Sequence, residues 1–229
     1  MARIARLVVP GAPHLVTQRG EGGQRAFFED ADYRLYRNLL GQAADRAGSQ
    51  VWAYCLLPGE VQAVMIPSDP DGVRRTFADL HRRYTKHVNV RHGRTGRLWQ
   101  GRFSSTAMDE DHVVAAIRYV SLAPVRAGLA TRAWDWPWSS VRAHLAARDD
   151  AVVQAAPALS RVGGFATFLG APFDPAAEFD PLRLALTTGR PLGSVGWVAA
   201  LEQNSGRSLA PRKRGPKPRV TATASAAQP

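Results

Sequence analysis

The chain has 229 residues, enough for one domain of about 150 residues and a smaller appendage. Hydrophobic residues make up 45% of it, yet no stretch approaches the roughly 20 uninterrupted apolar residues of a membrane-spanning helix, and the chain reads as soluble. Thirty Lys+Arg against nineteen Asp+Glu leave a formal charge of +11, a balance that favours a polyanionic partner. Cys55, the only cysteine, sits in an apolar run, so neither a disulfide framework nor a cysteine metal cluster is available. The first ten residues carry only the short apolar run Leu7 to Val9, below the length of a secretory signal, and a cytoplasmic location is expected.

Residues 13–19 alternate and include β-branched side chains, predicting a strand, and the Gly-rich 20–23 stretch follows as a turn. Tyr33, Tyr36, Leu39, Leu40 and Ala44 recur at helical spacing between Asp30 and Ala47, with Gly48 placed to end the helix. Val51 to Leu57 and Val61 to Ile66 are apolar runs separated by Pro58-Gly59, which reads as two buried strands joined by a turn. Helical period returns from Asp71 to Asn89 through Val73, Phe77, Leu80, Tyr84 and Val88. A strand is expected within Leu98 to Met108. Asp109 to Leu122 forms the next helix, its first turn rich in acid and its end set by Pro124.

This order predicts an α+β fold, an antiparallel sheet with helices on one face, over residues 1–150. Trp134, Trp136 and Trp138 begin a segment expected to pack back on that core. Composition then shifts toward Ala, Pro and Gly. Residues 151–206 are expected to form a small helical extension, with helices at Pro181 to Thr187 and Ser194 to Asn204, arranged either as a helix-turn-helix or as a hairpin that only packs on the main domain. Residues 207–229 contain no acid and several Pro, and read as a disordered basic tail.

Positive charge concentrates between Val73 and Arg102, where Arg74, Arg75, Arg82, Arg83, Lys86, Arg91, Arg94, Arg97 and Arg102 face one acid, Asp79. Guanidinium and ammonium groups neutralise phosphates with counterion release, and the interleaved Tyr84, Trp99 and Phe103 suit a chain that meets unpaired bases. Tyr84, at helical spacing, reads equally as a core residue. DNA contact is assigned to Arg74, Arg75, Arg82, Arg83, Lys86, Arg94, Arg97 and Arg102, joined by Arg212, Lys213 and Arg214 of the tail.

The stretches His14–Gly20, Ala53–Pro58, Arg83–Lys86, Gly96–Phe103, Arg118–Gly128 and Trp136–Ser140, taken in order, resemble the REP-associated tyrosine transposases, a branch of the HUH single-tyrosine transposases. The resemblance implies a ferredoxin-like sheet and metal-assisted cleavage of single-stranded DNA through a 5′-phosphotyrosine. Carried over position by position, it places the nucleophile on Tyr119. A phenol is a poor nucleophile at neutral pH, and a divalent cation would polarise the scissile phosphate. The two histidines that hold this cation in the family fall on Glu60 and Gln62, and the family's asparagine one turn past the tyrosine falls on Ala123. Glu60 and Gln62 still offer oxygens to Mg²⁺ or Mn²⁺.

On the tyrosine's own face of the helix, Ala123 offers no ligand. The expectation is therefore a binder of single-stranded or hairpin DNA, from palindromic repeats, whose nicking is lost or weakened. The alternatives are an active transposase, which cuts through Tyr119, and an RNA-hairpin regulator. Homodimers, like monomers, occur in the family. His14, His81, His87, His92 and His112 lack convincing ligand spacing.

Overall fold

The structure is a computed structural model and describes residues 6–209. Its elements run β1 (His14–Arg19), α1 (Asp30–Arg46), β2 (Gln50–Leu57), β3 (Glu60–Ile66), α2 (Gly72–Arg91), β4 (Ser104–Ala107) and α3 (Glu110–Ser121). Short helices follow, α4 (Ala123–Arg126), α5 (Val141–Leu145), α6 (Ala156–Val162) and α7 (Phe165–Gly170), then α8 (Pro175–Thr188) and α9 (Val195–Ser205). The four strands form one antiparallel sheet in the order β2-β3-β1-β4, an antiparallel α+β arrangement as the sequence predicts and a ferredoxin-like sheet as the resemblance implies. No helix among the described residues is long and apolar enough to cross a membrane.

Strand alternation decides which helix covers which face. Val61, Ala63 and Met65 of β3 point into a cluster with Tyr36 and Leu40 of α1 and Phe77, Leu80 and Tyr84 of α2. Val64 and Ile66 point the other way, into a cluster with Val113, Ile117 and Val120 of α3 and Phe179 and Leu182 of α8. The two crossover helices thus share one face, as expected, but helices cover the opposite face as well. The cause is legible in β2 and β3, which are apolar on both sides and so cannot leave one side to water.

The α1–α2 pair is locked at one end by charge. Arg91, in the last turn of α2, pairs with Asp32 at 2.6 Å and with Glu29 at the start of α1. Asp32 is fully buried, and burial works against its charge, yet Arg91 and the backbone N–H groups of Phe28 and Glu29 hold its carboxyl below the usual range. Arg91 is therefore committed to the fold.

Three boundaries differ from expectation. The Leu98 to Met108 strand shrinks to Ser104–Ala107, because Gly101 adopts a positive φ of 56° and turns the chain out of the sheet. Pro124 ends α3 but sits in the first turn of α4, where its missing N–H costs nothing. Helix α8 begins at Pro175, six residues before the expected start. Its cap is Asp174, which accepts from the Ala176 N–H at 2.9 Å, and Pro181 lies inside the helix on an exposed position. Helix α9 starts and stops at Ser194 and Gly206, as predicted. Helices α6 and α7, which the sequence did not announce, place Ala158, Phe165, Phe168 and Leu169 on the α3 side of the sheet.

Two of the histidines serve the core. His14 is buried with its Nδ1 donating to the Ala12 carbonyl at 2.8 Å and its Nε2 accepting from the Val9 N–H at 3.1 Å. His81 meets the Tyr36 hydroxyl at 3.0 Å and stacks on Trp99. Cys55 is a buried core residue whose thiol is pushed up by burial.

Candidate nucleic-acid interface

On the α3 side of the sheet, the strands run from apolar to polar toward one end. Leu15, Val64 and Ile66 pack under α3, whereas Ser104, Thr17 and Gln62 stand directly opposite one another across β4, β1 and β3. One step further, Arg19 pairs with Glu60, Nε to Oε2, at 3.3 Å. Above this polar end lies an open cavity of about 620 Å³ lined by Thr17, Arg19, Glu60, Arg102, Tyr119 and Arg183, among others.

Helix α3 brings Tyr119 there because Val113, Ile117 and Val120 bury the adjoining stripe of the helix. Tyr119 keeps only 7% of its surface exposed, and its ring packs edge-on against Phe179 of α8 at 5.2 Å. The Arg126 guanidinium lies 3.9 Å from the ring centroid and also donates to the Tyr119 carbonyl. Arg183 approaches the same ring from α8 at 6.0 Å. Burial pulls the Arg126 guanidinium below its ordinary value, while the Asp180 carboxylate, then the Tyr119 side chain, hold that of Arg183 above it.

The residues present fit a divalent cation poorly. One Glu60 oxygen faces Arg19 and the other accepts the Gln62 amide at 3.2 Å. Gln62 is buried with its own Oε1 unpartnered, which leaves one neutral oxygen free, and Ala123 is a packed core residue. Three guanidiniums share the cavity with that single carboxylate. A cation entering here would displace Arg19 and meet the field of the others.

The predicted basic residues fall into three places. Arg74, Arg75, Arg82, Arg83 and Lys86 are exposed on α2, across the sheet from Tyr119. Much of their charge is met locally: Arg74 pairs with Asp71, Arg75 with Asp69, and both Arg82 and Arg83 with Asp79. Arg94, Arg97 and Arg102 are exposed on the 92–103 loop, which leads from the end of α2 to the cavity, and Arg102 alone of the predicted set reaches Tyr119's cavity. Arg212, Lys213 and Arg214, with most of the predicted tail, lie outside the described residues.

The interleaved aromatics are core: Tyr84 is buried and donates to the Ala26 carbonyl at 2.8 Å, and Trp99 and Phe103 are buried beside it. Arg19, Arg126 and Arg183 were missed. Arg126 lies on α4, past the break at Leu122, so the period of α3 did not place it. Arg183 carried no local signal.

No protein-family model matches the chain, and no curated protein matches it. Among solved structures, a REP-associated tyrosine transposase bound to a REP hairpin superposes with a TM-score of 0.52 at 19% identity, over 68% of this chain and 92% of that one. A transposase-assigned protein of Deinococcus radiodurans matches at a TM-score of 0.37 and 18% identity, over 52% of this chain and 95% of that one. With its β2-β3-β1-β4 antiparallel sheet and a tyrosine helix laid across one face, this chain has the fold of a REP-associated tyrosine transposase.

Proposed function

We propose that this protein binds single-stranded or hairpin DNA in the cytoplasm and nicks it weakly or not at all. The observation that carries the reading is the arginine-lined cavity at Tyr119, where the guanidiniums of Arg19, Arg102 and Arg183 outnumber the one carboxylate of Glu60; that Glu60 and Gln62 stand where the family has metal ligands is what the resemblance implies. Its fold likeness to a protein solved with a REP hairpin supports the choice of a hairpin over other polyanions. In this reading residues 1–150 contact DNA. The 151–206 extension completes the cavity through Arg183, and Arg212, Lys213 and Arg214 add sequence-independent affinity.

The phosphodiester backbone would be held by Arg19, Arg102 and Arg183 at the cavity, with Arg94 and Arg97 along the loop and the α2 cations beyond them. A labelled DNA hairpin should bind with an affinity that falls steeply as salt rises. Salt-insensitive binding, or a clear preference for the RNA hairpin of the same sequence, would refute the reading.

Nicking remains a second reading because Tyr119 still lines the cavity beside Glu60. A covalent protein–DNA adduct on a denaturing gel with Mn²⁺, absent in Tyr119→Phe, would establish it. We expect no adduct.

A further inference from the structure

We propose that the Tyr119 cavity is a metal-independent phosphate site, in which Arg102 and Arg183 on its wall, backed by Arg126 against the Tyr119 ring, supply the positive charge that a divalent cation supplies in related enzymes. The inference rests on the reading above for its DNA, though not for its anion chemistry.

Three observations converge on it. Arg126 is half-buried against Tyr119 and Phe179 and has no carboxylate partner among the described residues; its contacts are two aromatic rings and the Tyr119 carbonyl. A desolvated guanidinium in that state gains from an arriving anion. Arg102 is exposed at the cavity and has no ion pair among the described residues. Arg183 does pair with Asp180 at 2.7 Å, but both side chains are at least half exposed, so this bond is weak and exchangeable.

The one carboxylate on the cavity wall, Glu60, is offset by Arg19 at 3.3 Å. Two or more guanidiniums around one phosphate make charge-assisted bonds in the geometry that arginine suits best. The third gives the site its tether: Arg183 comes from α8, whose Phe179 lies against the Tyr119 ring, so the extension and the tyrosine helix together form the wall.

The test uses the full chain, with a fluorescein-labelled DNA hairpin read by anisotropy and sodium phosphate read by thermal shift against chloride at equal ionic strength. We expect hairpin affinity to be the same in EDTA and in Mg²⁺, and Arg102→Gln and Arg183→Gln each to weaken it about tenfold. Both variants should also reduce the phosphate-induced shift, while Arg132→Gln, an exposed partner of Asp135 outside the cavity lining, leaves that shift unchanged.

Glu60→Gln separates the two chemistries by sign. Loss of a carboxylate tightens an anion site and weakens a cation site. The proposal is overturned if Mg²⁺ or Mn²⁺ tightens hairpin binding and Glu60→Gln abolishes that gain. It is equally overturned if the hairpin binds but Arg102→Gln and Arg183→Gln behave as the parent. An arginine-dependent phosphate shift without hairpin binding would instead uphold the site and remove DNA as its ligand.

Discussion

Arg118 precedes the candidate nucleophile by one residue and points the other way along α3, into the seam with the C-terminal helices. Its Nη1 meets Glu178 Oε2 of α8 at 2.5 Å, and the two side chains are 13% and 18% exposed. The same guanidinium lies over Phe168 at 4.2 Å and Phe173 at 4.8 Å. Arg118→Ala would strand the Glu178 charge and remove both ring contacts. Stranding one partner of a buried pair costs about 3 to 5 kcal/mol, and residual exposure here brings the expected total to about 3 kcal/mol. At a urea dependence of about 2 kcal/mol per molar, the unfolding midpoint should fall by about 1.5 M.

The pair itself is incompletely satisfied, since Arg118 Nε and Glu178 Oε1 are buried without partners. Replacing both residues, Arg118→Met with Glu178→Leu, should therefore restore stability to within about 1 kcal/mol of the parent. Urea titration followed by tryptophan fluorescence reads both variants. A single variant that leaves the midpoint in place, or a double variant as unstable as the single, would refute the reasoning. The single variant should also weaken hairpin binding, because α8 carries Arg183.

His14 is lowered by burial to about 4 and His81 to about 3, so between pH 6.5 and 4 the unfolded chain binds protons that the folded chain refuses. Stability should be complete above pH 6.5 and decline as pH falls, by roughly 1 kcal/mol per unit per histidine; a urea midpoint constant from pH 7 to 5 would contradict this. Gly41 of α1 is helical, yet a Cβ there would stand 2.1 Å from the Ala151 carbonyl oxygen. Gly41→Ala should thus destabilise by about 2 kcal/mol despite a helix-propensity gain of about 1, and a higher melting temperature would count against the packing described. Asp109 caps α3 and its Oδ2 accepts the Ser194 N–H at 2.7 Å, tying the start of α9 to the tyrosine helix. Asp109→Ala should cost about 2 kcal/mol, with Asp109→Asn recovering part of it, and amide exchange at Ser194 should quicken only in the alanine variant.

Period alone located α1, β2, β3, α2 and α3, since each buries a stripe or a strand against a shared core, and burial writes itself into the spacing of Tyr36, Leu40, Phe77, Leu80, Ile117 and Val120. The same local chemistry marked Ser194 and Gly206 as the ends of α9. What chain order does not carry is which distant charges meet.

The arginines dense in sequence lie mainly on α2, on the far side of the sheet and largely paired with Asp69, Asp71 and Asp79. The arginines at Tyr119 come one each from β1, the 92–103 loop, α4 and α8. Sequence by itself determined the antiparallel sheet and the helix that carries Tyr119, because those follow from near-neighbour periodicity. Only the tertiary structure decided that α8 returns to that helix and that guanidiniums ring the tyrosine, because electrostatic surroundings depend on separations in space.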